Sequence, residues 1–330
     1  MKLHVALGLM LILGACKNTQ ESDESKVKSA NQIKSTVAPL TVEGNRILAG
    51  GKVKSFAGNS LFWSNNNWGG EKFYNADVVK WLKSDWNSQI VRAAIGINEP
   101  GGLQDDKAAN LEKLYKVVDQ AIESEMYVII DFHTHGLFKD DAIEFFETVA
   151  LKYGKSDNVI YEIFNEPISQ AWPEIKAYSE EVISAIRAID PDNLIIVGTR
   201  VYSQRVDEAA ANPIKGYSNI AYTLHFYAGT HKAELREIAQ KALDAGVALF
   251  VTEWGTTHAS GNTTFDPEET RSWMDFLKKN DISHVNWAIN DKNETASALK
   301  PGASATGGWT DDQLTDSGKL VKELIKNWDK

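Results

Sequence analysis

From about position 42 onward, short apolar runs alternate with longer stretches in which apolar residues return every three or four positions. The short runs read as buried strands: residues 53–59, 88–95, 127–132, 159–164, 194–198, 220–226, 247–251 and 283–289. The longer stretches carry the helical period: residues 76–84, 105–123, 140–153, 175–189, 232–245 and 267–279, with a short fifth crossover near 203–211 and a closing helix over 314–328. Asp190-Pro191-Asp192-Asn193 is a turn between a helix and a strand. Eight apolar strands separated by helices predict an α/β fold, a closed parallel (β/α)8 TIM barrel in a single domain. An open doubly wound sheet is the alternative. It would want a Gly-rich phosphate loop after the first strand, and Gly58-Asn59-Ser60-Leu61-Phe62-Trp63 is a poor one.

The first 41 positions follow another pattern. Lys2 and His4 precede an apolar run over 5–13, which ends in Leu13-Gly14-Ala15-Cys16. A basic start, a short apolar stretch and small residues form an export signal, too short to span a bilayer as a mature helix. Leu-Gly-Ala-Cys also resembles a bacterial lipobox, in which the Cys becomes the lipidated first residue. Ordinary cleavage near Ala15 is the alternative. Residues 17–41 are polar and aperiodic and read as a flexible tether. The expected organisation is therefore a lipoprotein signal over 1–15, a lipidated Cys16 with its tether over 16–41, and a catalytic barrel over 42–330. The expected location is exported and membrane-anchored, at the cell surface or in the periplasm.

Composition narrows the chemistry. The chain has 330 residues with 43% hydrophobic content, enough for one large core. A net charge of -10 argues against a nucleic-acid partner, because phosphate binding needs clustered Lys and Arg. Cys16 is the sole cysteine, so no internal disulfide can form. Ten Trp suit flat apolar ligands such as sugar faces, or a Trp-rich core.

The polar residues at the strand ends point the same way. Strand two carries Arg92, strand three ends Asp131-Phe132-His133-Thr134-His135, and strand four ends Asn165-Glu166-Pro167. Strand six ends His225-Phe226-Tyr227, strand seven ends Glu253-Trp254, and strand eight carries Trp287. These ends converge only if the strands close into a barrel, where the carboxyl-terminal face holds the chemistry. Two glutamates across a cleft are the equipment for cleaving a glycosidic bond. One must hold a proton near neutral pH and so needs a raised pKa; the other must stay ionised. Asn165 is placed to hydrogen-bond a sugar hydroxyl beside the acid. Tyr227 and Arg92 suit donors that keep Glu253 charged and aimed. His133 and His225 suit neutral hydrogen-bond partners, and Trp287 a stacking floor. The rival is a zinc site built on His133, His135 and His225, but no strand-end Lys or further Asp completes it. No metal and no cofactor is expected.

Four stretches carry a closer resemblance: Ile163-Phe164-Asn165-Glu166-Pro167, Leu224-His225-Phe226-Tyr227-Ala228-Gly229-Thr230-His231, Thr252-Glu253-Trp254-Gly255, and Val285-Asn286-Trp287-Ala288-Ile289-Asn290-Asp291-Lys292-Asn293-Glu294 running on to Lys300-Pro301-Gly302-Ala303-Ser304. Over residues 42–328 the chain resembles the bacterial endo-1,4-β-glucanases (cellulases) of glycoside hydrolase family 5, Cel5-type. The resemblance implies Glu166 as acid/base, Glu253 as nucleophile, and support from Arg92, His133, Asn165, His225, Tyr227 and Trp287. It implies substrate contacts for Lys292 and Glu294, and aromatic sugar platforms at Trp63 and Trp172. Tyr202 stands where many relatives carry a Trp platform, and Phe132 where the family often has Trp. Trp68 and Trp309, in Gly-rich loops, are further candidates for the cleft wall; Trp81 and Trp273, within helices, read as core.

The implied activity is endo-acting hydrolysis of β-1,4-glucan with retention, by a monomer without a cofactor. A catalytically inactive glycan-binding lipoprotein on the same scaffold is the alternative of another class. Mixed-linkage glucan, xyloglucan and mannan are alternative substrates.

Overall fold

The computed structural model describes Met1 and residues 35–330. The signal, Cys16 and most of the tether lie outside the described residues. No helix among the described residues is long and apolar enough to cross a membrane.

The ordered body begins before the boundary expected at position 42. Thr36 donates through Oγ1 to the carbonyl of Ile122 at 2.8 Å, and its amide donates to Asn158 Oδ1 at 3.1 Å. Then β1 (Leu40–Glu43), β2 (Arg46–Ala49) and β3 (Lys52–Val53) form a small antiparallel sheet. Leu40 and Ile47 pack with Phe56 and Tyr127 against the apolar floor of the barrel. This sheet takes Val53 out of the first barrel strand expected over 53–59, which begins instead at Ala57.

The barrel follows as β4 (Ala57–Leu61), α1 (Ala76–Trp86), β5 (Ile90–Gly96), α2 (Lys107–Glu123), β6 (Tyr127–His133), α3 (Lys139–Tyr153), β7 (Val159–Glu162) and α4 (Trp172–Arg187). It continues with β8 (Ile195–Val197), α5 (Arg200–Ser203), α6 (Val206–Ala211), β9 (Ile220–Tyr227), α7 (Ala233–Asp244), β10 (Leu249–Gly255), α8 (Pro267–Lys279), β11 (His284–Ile289) and α9 (Asp316–Lys326). Strands β4 to β11 are parallel and close, β11 pairing with β4. The expected (β/α)8 barrel is thus the observed fold.

Local chemistry sets the helix starts. Asn75, Asp106, Asp266 and Thr315 each accept an amide of the first helical turn through the side chain. Helix α4 starts earlier than expected, at Trp172 rather than 175, with Pro173 in its first turn and Glu174 accepting the Ala171 amide at 2.8 Å.

Strands buried on both faces read as continuous apolar runs, and β5, β6 and β10 are buried throughout. Side chains facing the barrel axis form layers. The floor is apolar: Ile90, Ile129, Ile160, Ile196, Phe250 and Val285. Above it sits a buried polar layer that includes Arg92, Asp131, Glu162 and Thr252. At the carboxyl-terminal mouth stand Phe62, Ala94, Tyr227 and Trp287.

Candidate active site

Arg92 organises the polar layer. Its side chain is fully buried, and one cation there faces three carboxylates. Nε donates to Glu162 Oε2 at 2.7 Å, Nη2 reaches Asp131 Oδ2 at 2.9 Å, and Nη1 reaches Glu253 Oε2 at 3.1 Å. Burial would depress the guanidinium, but the carboxylates raise its pKa above the ordinary value. Nη2 also donates to Asn165 Oδ1 at 2.6 Å, which turns the amide nitrogen of Asn165 away from Arg92.

Glu253 lies on β10 opposite His225 of β9. Tyr227 donates to Glu253 Oε1 at 2.6 Å, so each carboxylate oxygen accepts one donor. Gly255 makes room for that phenol: a Cβ there would stand 2.4 Å from the Tyr227 ring. Glu166 follows β7, and its Oε1 lies 2.9 Å from His225 Nδ1. The far nitrogen of that imidazole, Nε2, lies 2.8 Å from Thr252 Oγ1, and Thr252 donates to Glu162 Oε1 at 2.6 Å. A continuous buried chain therefore joins Glu166 to Glu253 through His225, Thr252, Glu162 and Arg92.

The charge states differ from the expectation of a raised Glu166, a Glu253 kept ionised and a neutral His225. Burial would raise Glu166, but the hydrogen bond and charge of His225 hold it below the ordinary carboxylate value. His225 would be lowered by burial, yet its bonds to Glu162 and Glu166 and the charges around it push it up to about 9. Glu253 is raised by burial and by Glu166, against the pull of His225, Arg92 and Tyr227. Glu166 held low and His225 held high therefore form a pair that can share one proton across their 2.9 Å contact.

His133 plays another part. Its Nδ1 lies 2.6 Å from Asp131 Oδ2, and burial, with the Arg92 charge, lowers its pKa well below the ordinary value. Its neutral ring stacks on Trp287, centroids 5.1 Å apart and planes within 4°. Trp63 meets the same imidazole edge-on at 4.1 Å and packs on Trp68 at 5.3 Å.

Two hollows meet at the glutamates. One, of about 560 Å³, is lined by His135, Tyr202, Gln204, His231, Glu166 and Glu253 among others. The other, of about 210 Å³, is lined by Trp63, His133, Asn165, Trp287 and Glu294 with the same two glutamates. One cleft therefore runs across both carboxylates and is open on either side. Lys292 stands at its edge, 4.3 Å from the Phe62 ring centroid and 3.4 Å from Glu294 Oε2.

Trp172 corrects a sequence expectation. It is no sugar platform: it is 5% exposed, its Nε1 donates to the Asn212 carbonyl at 3.0 Å, and its ring packs on Tyr222. The early start of α4 turns it into the wall between helix and barrel. Trp309 is likewise core, packed on Trp86 and Phe73. Tyr202 does reach the cleft, on a segment where Val201, Tyr202 and Ser203 all take left-handed backbone with φ of 58°, 55° and 56°.

Glu162, Thr252, Gln204 and His231 escaped the sequence reading. Glu162 carried a signal, since a charge inside an apolar strand needs a buried partner. Thr252 carried none.

Glu166, His225 and Glu253 also offer one ligand atom each within 4.8 Å of one another, as a metal would require. Arg92 and Tyr227 on Glu253 and Thr252 on His225 already engage two of these side chains. His133, bound to Asp131, does not join the group.

Residues 47–293 match the sequence profile of cellulases (glycosyl hydrolase family 5). The chain is 57% identical to Endoglucanase Z of Dickeya dadantii strain 3937 over 296 residues, 89% of this chain and 67% of that one. A solved structure from Cytophaga hutchinsonii superposes with a TM-score of 0.85 at 51% identity, covering 88% of this chain and 95% of that one. The catalytic domain of Thermobifida fusca endoglucanase Cel5A superposes with a TM-score of 0.82 at 29% identity, over 87% and 97%. Barrel, paired glutamates and sequence agree, and the chain belongs to the cellulases of glycosyl hydrolase family 5.

Proposed function

We propose that the protein is an endo-acting glucanase that hydrolyses internal β-1,4-glucosidic bonds of cellulose or related β-glucans with retention of configuration. The carrying observation is that a carboxylate oxygen of Glu166 and one of Glu253 lie within 4.8 Å of each other. Such closeness suits direct attack, whereas an inverting site leaves about 6.5–9.5 Å for a water.

In the first step Glu253 attacks the anomeric carbon while Glu166 protonates the departing glycosidic oxygen. The C–O electron pair leaves with that oxygen, and a covalent glycosyl-enzyme remains. In the second step Glu166 takes a proton from water as the water oxygen displaces Glu253. Arg92 and Tyr227 aim the nucleophile, and Asn165 offers its free amide nitrogen to the sugar. His133 and Trp287 form the wall beneath the ring, and Tyr202 is an aromatic contact on the far arm. A cleft open on both sides of the glutamates favours internal cleavage over trimming of chain ends.

Product analysis on soluble cellulose derivative, mixed-linkage glucan, xyloglucan and mannan tests the substrate, and NMR of the first anomer released tests retention. Glu253→Gln should remove turnover by several powers of ten, roughly, while the fold survives. Inertness of the wild-type protein on every glucan, with binding retained, would favour the glycan-binding reading instead.

The further reading is that Cys16 carries lipid and that the polar segment after it holds a monomeric barrel off the membrane. The Leu-Gly-Ala-Cys sequence and the polar composition of the segment support it.

A further inference from the structure

The proton chain behind Glu166 has a direction, and the direction follows from counting protons. Thr252 has one hydroxyl proton and two close partners, Glu162 Oε1 at 2.6 Å and His225 Nε2 at 2.8 Å. Glu162 is gripped through both oxygens by Arg92, Nε to Oε2 at 2.7 Å and Nη2 to Oε1 at 3.2 Å. A buried carboxylate paired with a guanidinium stays ionised and only accepts. The Thr252 proton therefore goes to Glu162, and the Thr252 oxygen is left to accept from His225. His225 Nε2 must carry a hydrogen. Its other nitrogen, Nδ1, is then the sole ring atom free to gain or lose a proton, and it faces Glu166 Oε1 at 2.9 Å.

We propose that Thr252 and Glu162 are positioning residues that lock His225 with hydrogen on Nε2, so that Nδ1 and Glu166 share the single proton used in both catalytic steps. This rests on the reading of Glu166 as acid/base and deepens it. In the first step the proton passes from Nδ1 to Glu166 Oε1 and on to the glycosidic oxygen, whose bond to carbon breaks as Glu253 bonds. In the second step the proton lost by water travels back to Glu166 and to Nδ1. Without the lock, neutral His225 would place its hydrogen on Nδ1 and donate it permanently to an ionised Glu166. That state stabilises the anion and disables the acid. The other groups facing the pair are Glu253, across the strand pair from His225 and raising it, and His135, whose Nδ1 lies 3.7 Å from Glu166 Oε2.

The test compares the wild-type protein with Thr252→Val, which removes the hydroxyl at equal volume, and Thr252→Ser, which keeps it. Imidazole ¹⁵N NMR should show His225 Nε2 protonated in wild type and Thr252→Ser, and Nδ1 protonated in Thr252→Val. In kinetics, Thr252→Val should lose on the order of 10²-fold in kcat/KM on cello-oligosaccharides, whose leaving group needs a proton. It should lose far less on a dinitrophenyl cellobioside, whose leaving group does not. The alkaline limb of its pH profile should move to lower pH, and Thr252→Ser should restore all three. A folded wild-type protein with His225 Nε2 unprotonated overturns the proposal, whatever the variants do. So does a folded Thr252→Val with wild-type pH profile and leaving-group dependence. A wild-type protein inert on every glucan would sink the functional reading, while the nitrogen spectrum would still decide the tautomer.

Discussion

Tyr227 reaches from β9 to β10 and donates its phenolic proton to Oε1 of Glu253 at 2.6 Å, in a gap that Gly255 leaves open. The bond favours ionised Glu253 against burial and the Glu166 charge, which raise it. A hydrogen bond to a charged group contributes about 1.5–3 kcal/mol. Tyr227→Phe should therefore cut kcat/KM by roughly 10–100-fold and lower the melting temperature as well, because the Glu253 oxygen stays buried without its donor. Losing the donor raises Glu253 further, so the acid limb of the pH profile should move to higher pH. An unmoved limb would mean that Tyr227 does not govern the charge of Glu253.

Trp172, expected as a sugar platform, and Tyr202, which stands where relatives carry one, should separate in opposite ways. Trp172 is buried, so Trp172→Ala opens a cavity and should cost about 3–5 kcal/mol of stability. Tyr202 is 43% exposed at the cleft, so Tyr202→Ala should change stability by less than about 0.5 kcal/mol and raise KM for long oligosaccharides. Thermal melts beside KM measurements check both. A stable Trp172→Ala with weakened substrate binding would restore its role as a platform.

The barrel was legible because its strands are buried on both faces, and such strands announce themselves as uninterrupted apolar runs. The small sheet of β1 to β3 was not, because its strands are four, four and two residues long and partly exposed. Glu166, Glu253 and Arg92 were legible as polar residues at strand ends, where a barrel concentrates chemistry. Thr252 was not: its importance comes from register, which brings β10 beside β9 and points its hydroxyl at Glu162 of β7. No spacing within one strand encodes that meeting. Trp172 misled for a related reason. An aromatic after Asn165-Glu166-Pro167 can face the cleft or the wall, and the exact start of α4 decides which.

Cys16 offers a test at the other end of the chain. If it is lipidated, the wild-type protein should partition with membranes, since several acyl chains hold a protein firmly where one does not. If residues 17–34 behave as a random chain, their r.m.s. reach is roughly 21–25 Å. Cys16→Ser should move the enzyme to the soluble fraction, or leave its signal uncleaved, without altering activity per folded molecule. Fractionation with mass spectrometry of the N-terminus decides it; an unmodified, wholly soluble wild-type protein starting beyond Cys16 would remove the anchor.

The pH profile of kcat/KM should be bell-shaped, with limbs belonging to different parts of the buried chain. Glu253 must be ionised to attack, and burial with the nearby Glu166 charge raises its pKa. Activity should therefore rise with pH through a value above the usual carboxylate figure of about 4.3. On the alkaline side the proton to be donated is shared by Glu166 and His225, and His225 is pushed up to about 9. Activity should stay high through neutrality and fall only as that shared proton leaves. The fold imposes a separate acid limit. His284 is fully buried and burial lowers it to about 3, so it stays neutral in the folded chain while its unfolded counterpart takes up a proton below about pH 6.5. The unfolded state then binds more protons, and stability falls as pH drops from about 6.5 towards 3. Initial rates on dilute enzyme separate the two effects, because loss through ionisation reverses at once on returning to neutral pH and loss through unfolding need not. An alkaline limb near pH 5 in reversible assays would mean that Glu166 acts alone, without the proton held at His225.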